Sequence, residues 1–517
     1  MKEKEEAMEL NRGLKLLVKS SMVVFIGLFL SKILFYIYRF TIARTFGPEI
    51  YGVFSLAVAI FTIFTLFALF GFDRGVLRFV SLYRGEKDPQ KIKYLLSFSM
   101  KFLFVSSIIA AIVLFFSAET ISLKIFHNID LVFFLKVFSF VIPIFIFSVF
   151  YLSIIRAYEK ISWYSFILNI LQNVLKPVSL LILLFLGIGL GSISYSYSIS
   201  ILGMLIASYI FCKFSFPKIF KPNTLKKENR SELRGSFLAY SWPIMFFGVI
   251  NTFFFWIGSF SLGYFKSTLE VGFYNAAVPL ASLLGFVPEL FIQLFFPLIT
   301  REYSKKNFIF IKELSKQLGK WIFILNLPFF IILFLFPGAI INLLFGKEYI
   351  VAETALRILS VGAFIACSTI YVSDNLLSMK GKSKLIMINI FAAALLDLLL
   401  NIFLVPKYGL NGAAMSATIT QILLGTAMVV ETRYYLSIIP ARRKMLNIFL
   451  ISLIPAVLLF YSRRIIPINF LSMFLLGFLF LLLYSLLILL TGCLDKNDFM
   501  ILRSILNFKG FNRFFQS

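Results

Sequence analysis

Histidine is almost missing from this chain: 517 residues contain one, His127. Cysteine is scarce as well, with Cys212, Cys367 and Cys493 far apart in or beside apolar stretches. Ligands so few and so scattered give neither a disulfide framework nor a zinc site. Nucleotide-binding glycine motifs fail too. Gly381-Lys382-Ser383 has the form of a P-loop tail, but Leu376 stands where the first glycine is needed and no strand precedes it. Gly187, Gly189 and Gly191 alternate between apolar runs without a preceding strand, which marks a tight turn and not a dinucleotide site. No enzyme chemistry, no cofactor and no ATP-driven transport by this chain alone is expected. Acids are the remaining shortage, with 24 Asp and Glu against 50 Lys and Arg and a net charge of +26.

Apolar length is what the chain has in excess. Hydrophobic residues make up 60% of it, including 66 Phe, which leaves too little polar surface to solvate a globule of this size. Fourteen apolar stretches cover 20–43, 51–72, 94–117, 131–154, 163–186, 190–212, 237–263, 271–299, 321–344, 351–377, 385–405, 411–432, 446–461 and 469–491. Most reach the roughly 20 residues a helix needs to cross the hydrocarbon. The expected fold class is therefore an all-α polytopic membrane protein with about fourteen transmembrane helices. The gaps after even-numbered stretches, with both termini, hold 37 Lys and Arg; the gaps after odd-numbered stretches hold seven. The positive-inside rule then places both termini in the cytoplasm and the chain in the cell membrane. Charge confined to one face is explained by topology and anionic headgroups, so membrane lipids and not nucleic acid are the expected partners. The first apolar run has no small-residue cleavage signature and reads as a retained signal anchor behind a charged segment, 1–19.

An internal repeat supplies the domain organisation. At a constant offset of 220, Glu49 to Ala57 lies over Leu269 to Ala277, pairing Gly52 with Gly272 and Ala57 with Ala277. Both copies sit at the turn from the first to the second segment of a six-segment half, so the repeat is parallel. This predicts two pseudo-symmetric six-helix lobes, 20–212 and 237–432, joined by a basic cytoplasmic linker, 213–236. Two further helices, 446–491, and a tail, 492–517, follow. In the tail Phe499, Leu502, Ile505 and Leu506 recur at helical spacing among Lys496, Arg503, Lys509 and Arg513, the pattern of an amphipathic helix on the inner leaflet.

Four runs carry a resemblance: Arg39 to Ala57 (RFTIARTFGPEIYGVFSLA), Gly71 to Ser81, Val271 to Ala277 (VGFYNAA) and Lys407 to Ala414 (KYGLNGAA). They resemble the polysaccharide-exporter, Wzx-type flippase branch of the multidrug/oligosaccharidyl-lipid/polysaccharide (MOP) exporter superfamily, over roughly residues 15 to 435. The resemblance implies a two-lobed, V-shaped, alternating-access transporter of lipid-linked oligosaccharides, acting as a monomer beside the glycosyltransferases of its pathway. One departure stands out. The acid that many relatives carry midway along helix 7 has no counterpart in Trp256-Ile257-Gly258-Ser259, so its role does not transfer.

Ionisable residues deep in apolar segments point to mechanism, because a charge at a helix centre costs about 2.5 to 3.5 kcal/mol on insertion scales. In the first half these are Lys32, Arg39 seven residues on, and Lys176 beside Pro177; in the second they are acids, Glu289 and Asp397, with Asp374 nearer a helix end. Cations suit an anionic headgroup such as a polyprenyl pyrophosphate. A structural ion pair between a deep lysine and a deep acid remains open beside that reading, as does snorkelling for Arg39. Arg74 and Arg78, one turn apart at the cytoplasmic end of the second segment, suit a headgroup-loading site or plain positive-inside anchoring. Around Asp397, the neutral side chains of Asn401, Thr418, Gln421 and Asn251 supply oxygen ligands of the kind a hard cation takes, so Na+ or H+ coupling is expected there. Relatives of the lipid II flippase type place a sodium ion between helices 7, 11 and 12, which the resemblance implies here. Polar side chains that merely join helices remain the alternative. The function read from all this is translocation of a polyprenyl-pyrophosphate-linked oligosaccharide from the inner to the outer leaflet. A cation-coupled exporter of cationic drugs is the alternative within the superfamily, and a polytopic glycan polymerase or ligase the alternative outside it.

Overall fold

A computed structural model of the chain describes residues 2–217, 227–442, 444–465 and 470–493, and every regular element among them is helical. Among the described residues twelve helical stretches are long and apolar enough to cross a membrane, and Gly47 and Gly409 each divide one of them into two lengths, which makes fourteen candidate crossings. In chain order they are α1 (2–46), α2 (48–85, turning at Phe70 and Gly71, both at positive φ, before its last part Phe72–Gly85), α3 (Pro89–Ile125), α4 (Asp130–Ala157), α5 (Ile161–Phe185), α6 (Gly191–Ser215) and α7 (Lys227–Phe265). There follow α8 (268–304), α9 (Phe308–Leu335), α10 (Lys347–Met379), α11 (383–408), α12 (410–436), α13 (Lys444–Ile465) and α14 (Phe470–Leu490). Residues 218–226 of the expected linker and the expected amphipathic tail from 494 onward lie outside the described residues.

The two breaks have local causes. Gly47 takes φ 77° and ψ 176°, which a side chain would resist, and Pro48 then opens α2 with its φ already set for a helix. Gly409 takes φ 53° and ψ −130°, and the Glu270 carboxylate accepts from the Leu410 amide at 2.7 Å, placing an anion at the positive end of α12. At α3 the Asp88 carboxylate accepts from the amides of Gln90 and Lys91, both at 3.1 Å, with Pro89 in the first turn.

Hydropathy misplaced some boundaries. The stretch 271–299 is not one helix: a 3-10 turn, Leu283–Gly285, divides α8 into Thr268–Ser282 and Phe286–Ser304. Helix α9 starts at Phe308, where the Asn307 side chain caps the Phe310 amide at 3.3 Å, and not at 321; its first turns carry Lys312, Glu313 and Lys316, which hide them from an apolarity reading. It ends at Leu335, and Pro337–Leu344 forms a separate short helix. The outer surface is apolar, with Phe116, Phe185 and Leu490 among many exposed large side chains, as expected where lipid replaces water.

The chain packs as two compact units. One gathers the chain up to Ala276 with Leu344–Ala352 and Ile390–Ala417; the other holds Ala277–Leu343, Glu353–Asn389 and the chain from Thr418. Inside the first unit, α2 and α8 cross at the glycines that the repeat pairs. A Cβ on Gly52 would fall on the Thr268 carbonyl oxygen, and one on Gly272 on the Pro48 carbonyl oxygen. Pro48 and Thr268 are also 220 residues apart, so the contact is reciprocal about the axis of the repeat.

Candidate functional site

The first cluster lies in the first unit. Arg39 of α1 is 7% exposed; its Nη1 donates to the Tyr51 hydroxyl at 3.0 Å, and its guanidinium lies 4.7 Å from the centre of the Phe35 ring. The half-buried Lys176 of α5 places its ammonium 5.2 Å over the ring of Tyr197, close enough to Arg39 to feel its charge. Tyr197 is itself packed against Phe54, Phe61 and Phe138. Among the described residues neither cation has a carboxylate within ion-pair distance. Two neighbouring cations without an anion repel each other in a low dielectric, an arrangement that a bound anion would relieve.

The geometry of α5 explains why Lys176 points there. Residues Phe166–Leu171 form a π-helical turn, a feature common at functional sites, and Pro177 removes an amide just beyond the lysine. Asn173 repairs the disturbed backbone: its Nδ2 donates to the Asn169 carbonyl at 3.0 Å and to Ser31 Oγ of α1 at 2.9 Å. Lys32 is exposed, on a length of α1 where Phe29, Leu30 and Ile33 are exposed too, and about 10 Å along the helix from Arg39. The structure therefore brings Arg39 and Lys176 together and leaves Lys32 apart. Arg74 and Arg78 share one exposed face of α2, the first 3.6 Å from Asp73 and the second stacked on Tyr240 at 4.2 Å.

The second cluster is also in the first unit. Asp397 of α11 is 3% exposed, and its Oδ1 accepts from Ser416 Oγ of α12 at 2.6 Å and from Asn401 Nδ2 at 3.1 Å. Asn401 Nδ2 also meets Ser416 Oγ at 2.9 Å, and its Oδ1 is buried without a partner. No Lys or Arg among the described residues pairs with Asp397. Carboxylate, orphaned amide oxygen and hydroxyl form an all-oxygen donor set, which fits a hard cation or a held proton. Ser416 was missed from sequence because a serine inside an apolar run has no signal of its own.

Other expected members of that set are engaged elsewhere. Thr418 Oγ1 donates to the Ile358 carbonyl at 2.9 Å, and both Thr418 and Gln421 pack on Gly362 of α10. Asn251 Nδ2 turns back to the Phe247 carbonyl of its own helix at 2.8 Å. Glu289, expected to be buried, is exposed, in the first turn of the second half of α8 just after the 3-10 turn. Lys320 is completely buried in α9, so the second half is not without a deep lysine; its place at the edge of the stretch 321–344 concealed this.

A family profile described as polysaccharide biosynthesis protein matches residues 17–303. Over 399 residues the chain is 25% identical to the Shigella flexneri protein named "Putative O-antigen transporter", covering 74% of this chain and 89% of that one. Among solved structures, the lipid II flippase MurJ in an inward closed conformation aligns with a TM-score of 0.69 at 19% identity, over 90% of this chain and 98% of the other. An inward-facing multidrug transporter of the MATE family of the MOP superfamily aligns with a TM-score of 0.65 at 14% identity, over 78% and 94% of the two chains. These two likenesses show that the chain shares the fold of both proteins.

Proposed function

The chain belongs to the polysaccharide biosynthesis protein family, and from that premise we propose that it moves a lipid-linked oligosaccharide from the inner to the outer leaflet by alternating access, holding it by its pyrophosphate. The observation that carries this reading is the pair Arg39 and Lys176, two neighbouring cations, one buried and one half-buried, with no acid at ion-pair distance among the described residues. A pyrophosphate offers both of them charge-assisted hydrogen bonds. Cationic drugs, the cargo of the alternative exporter, would be repelled from the same place.

Transport against a gradient needs a second ligand that distinguishes two conformations, since only a differential affinity shifts an equilibrium. Asp397, with Asn401 and Ser416, is the proposed site for that ion, Na+ or H+. The charge pattern supports an orientation with both termini in the cytoplasm, which puts Arg74 and Arg78 on the loading side. The test is neutral replacement in vesicles reconstituted with lipid-linked oligosaccharide. Arg39→Gln and Lys176→Gln should each slow translocation by about tenfold or more, the loss of one charge-assisted bond, while the protein still accumulates in the membrane. Unchanged translocation in both would overturn the headgroup site.

A further inference from the structure

Arg39 carries five N–H donors in a rigid fork, and the one described hydrogen bond it makes uses Nη1 on the Tyr51 hydroxyl. Nη1 is held and the Phe35 ring lies against the guanidinium, while no described hydrogen bond uses the edge formed by Nε and Nη2, whose fork matches bidentate contact with a phosphate. Tyr51 is in turn fixed on every side. It is completely buried, its ring packs on Phe345 and Tyr349 at 5.9 and 6.2 Å, and its hydroxyl donates to the Asn275 carbonyl of α8 at 3.0 Å. Asn275 lies one turn beyond Gly272, and Tyr51 immediately precedes Gly52. The bridge from Arg39 through Tyr51 to α8 therefore sits beside the crossing where a Cβ on either glycine would strike the opposite carbonyl.

We propose that Tyr51 is the positioning residue of the anion site, and that it aims Arg39 only while α2 and α8 touch at Gly52 and Gly272. The inference rests on the headgroup reading of Arg39. It adds that the site is assembled in the conformation with the crossing closed and loosened when the two helices part. A headgroup would then bind tightly in one state and leave from the other, which is the differential affinity alternating access requires.

The test is binding of farnesyl pyrophosphate, with farnesol as the uncharged control, to the full chain purified in detergent. Tyr51→Phe keeps the ring and its packing and removes only the hydroxyl; it should weaken pyrophosphate binding by about tenfold, the worth of one hydrogen bond to a charged group. Gly272→Ala, which forces the helices apart, should weaken it to a similar degree. The double variant should be no weaker than the poorer single one, because both act through one bridge. Farnesol binding should stay constant throughout, which a general loss of structure would not allow. Arg39→Gln separates the two claims. If it binds farnesyl pyrophosphate as the native chain does, the headgroup reading fails. If it loses binding while Tyr51→Phe keeps native affinity, or if the two losses multiply, the positioning role is overturned and the headgroup site stands. Should Gly272→Ala fail to fold, Tyr51→Phe decides alone.

Discussion

Replacing Asp397 by asparagine should leave the fold at least as stable as before and remove its response to an ion gradient. Both side-chain hydrogen bonds to this residue converge on Oδ1, from Ser416 Oγ at 2.6 Å and Asn401 Nδ2 at 3.1 Å. An asparagine can keep an oxygen at that point, so both bonds survive but pass from charge-assisted to neutral, a loss of about 1 kcal/mol each. Against this, a carboxylate 3% exposed and without a cationic partner among the described residues carries a desolvation penalty of several kcal/mol, which the neutral amide escapes. Ser416→Ala runs the other way: it removes the nearest donor from a buried acceptor and should cost about 1–3 kcal/mol. Thermal unfolding in detergent reads both signs. Translocation in vesicles under an imposed Na+ or H+ gradient reads the coupling, and Asp397→Asn should translocate slowly and indifferently to either gradient. Gradient-driven activity at the native level in that variant, or a destabilisation larger than that of Ser416→Ala, would refute the reasoning.

Two further expectations follow from other parts of the chain. A cysteine placed between 213 and 217 should be protected from an impermeant thiol reagent in intact cells, while one at the exposed Gly189 turn should be labelled; the reverse pattern would invert the proposed orientation. Glu302, past the apolar part of α8, accepts from Lys305 at 3.0 Å, Asn307 at 3.2 Å and Arg301 at 3.3 Å, and these partners, Lys305 foremost, hold its carboxyl below the usual range. A depressed folded value contributes stability above the unfolded value of about 4.3 and loses it as pH falls through the folded one. Glu302→Gln should therefore melt below the native protein at neutral pH and converge with it in acid; an equal gap at both would remove the carboxylate from the account.

The sequence by itself determined the class of molecule. Long apolar runs leave a helix as the only way to satisfy the backbone in lipid, so fourteen crossings could be counted without coordinates. The offset of 220 was legible because Gly52 and Gly272 meet a steric demand that no other residue satisfies. Arg39, Lys176 and Asp397 stood out because a charge inside an apolar run costs too much to be kept idly. Tertiary structure decided what surrounds them. Which serine reaches Asp397 depends on how α12 rotates after the break at Gly409, and hydropathy carries no such angle. Lys32 and Arg39 look equivalent along α1, yet one is exposed and the other buried, since burial belongs to the neighbours and not to the residue. Tyr51, a buried aromatic like many others in the chain, became a candidate for positioning only when its hydroxyl was seen between Arg39 and a carbonyl of another helix. Periodicity and charge are local properties that a chain displays in one dimension, whereas hydrogen-bond partners 224 residues apart are set by packing alone.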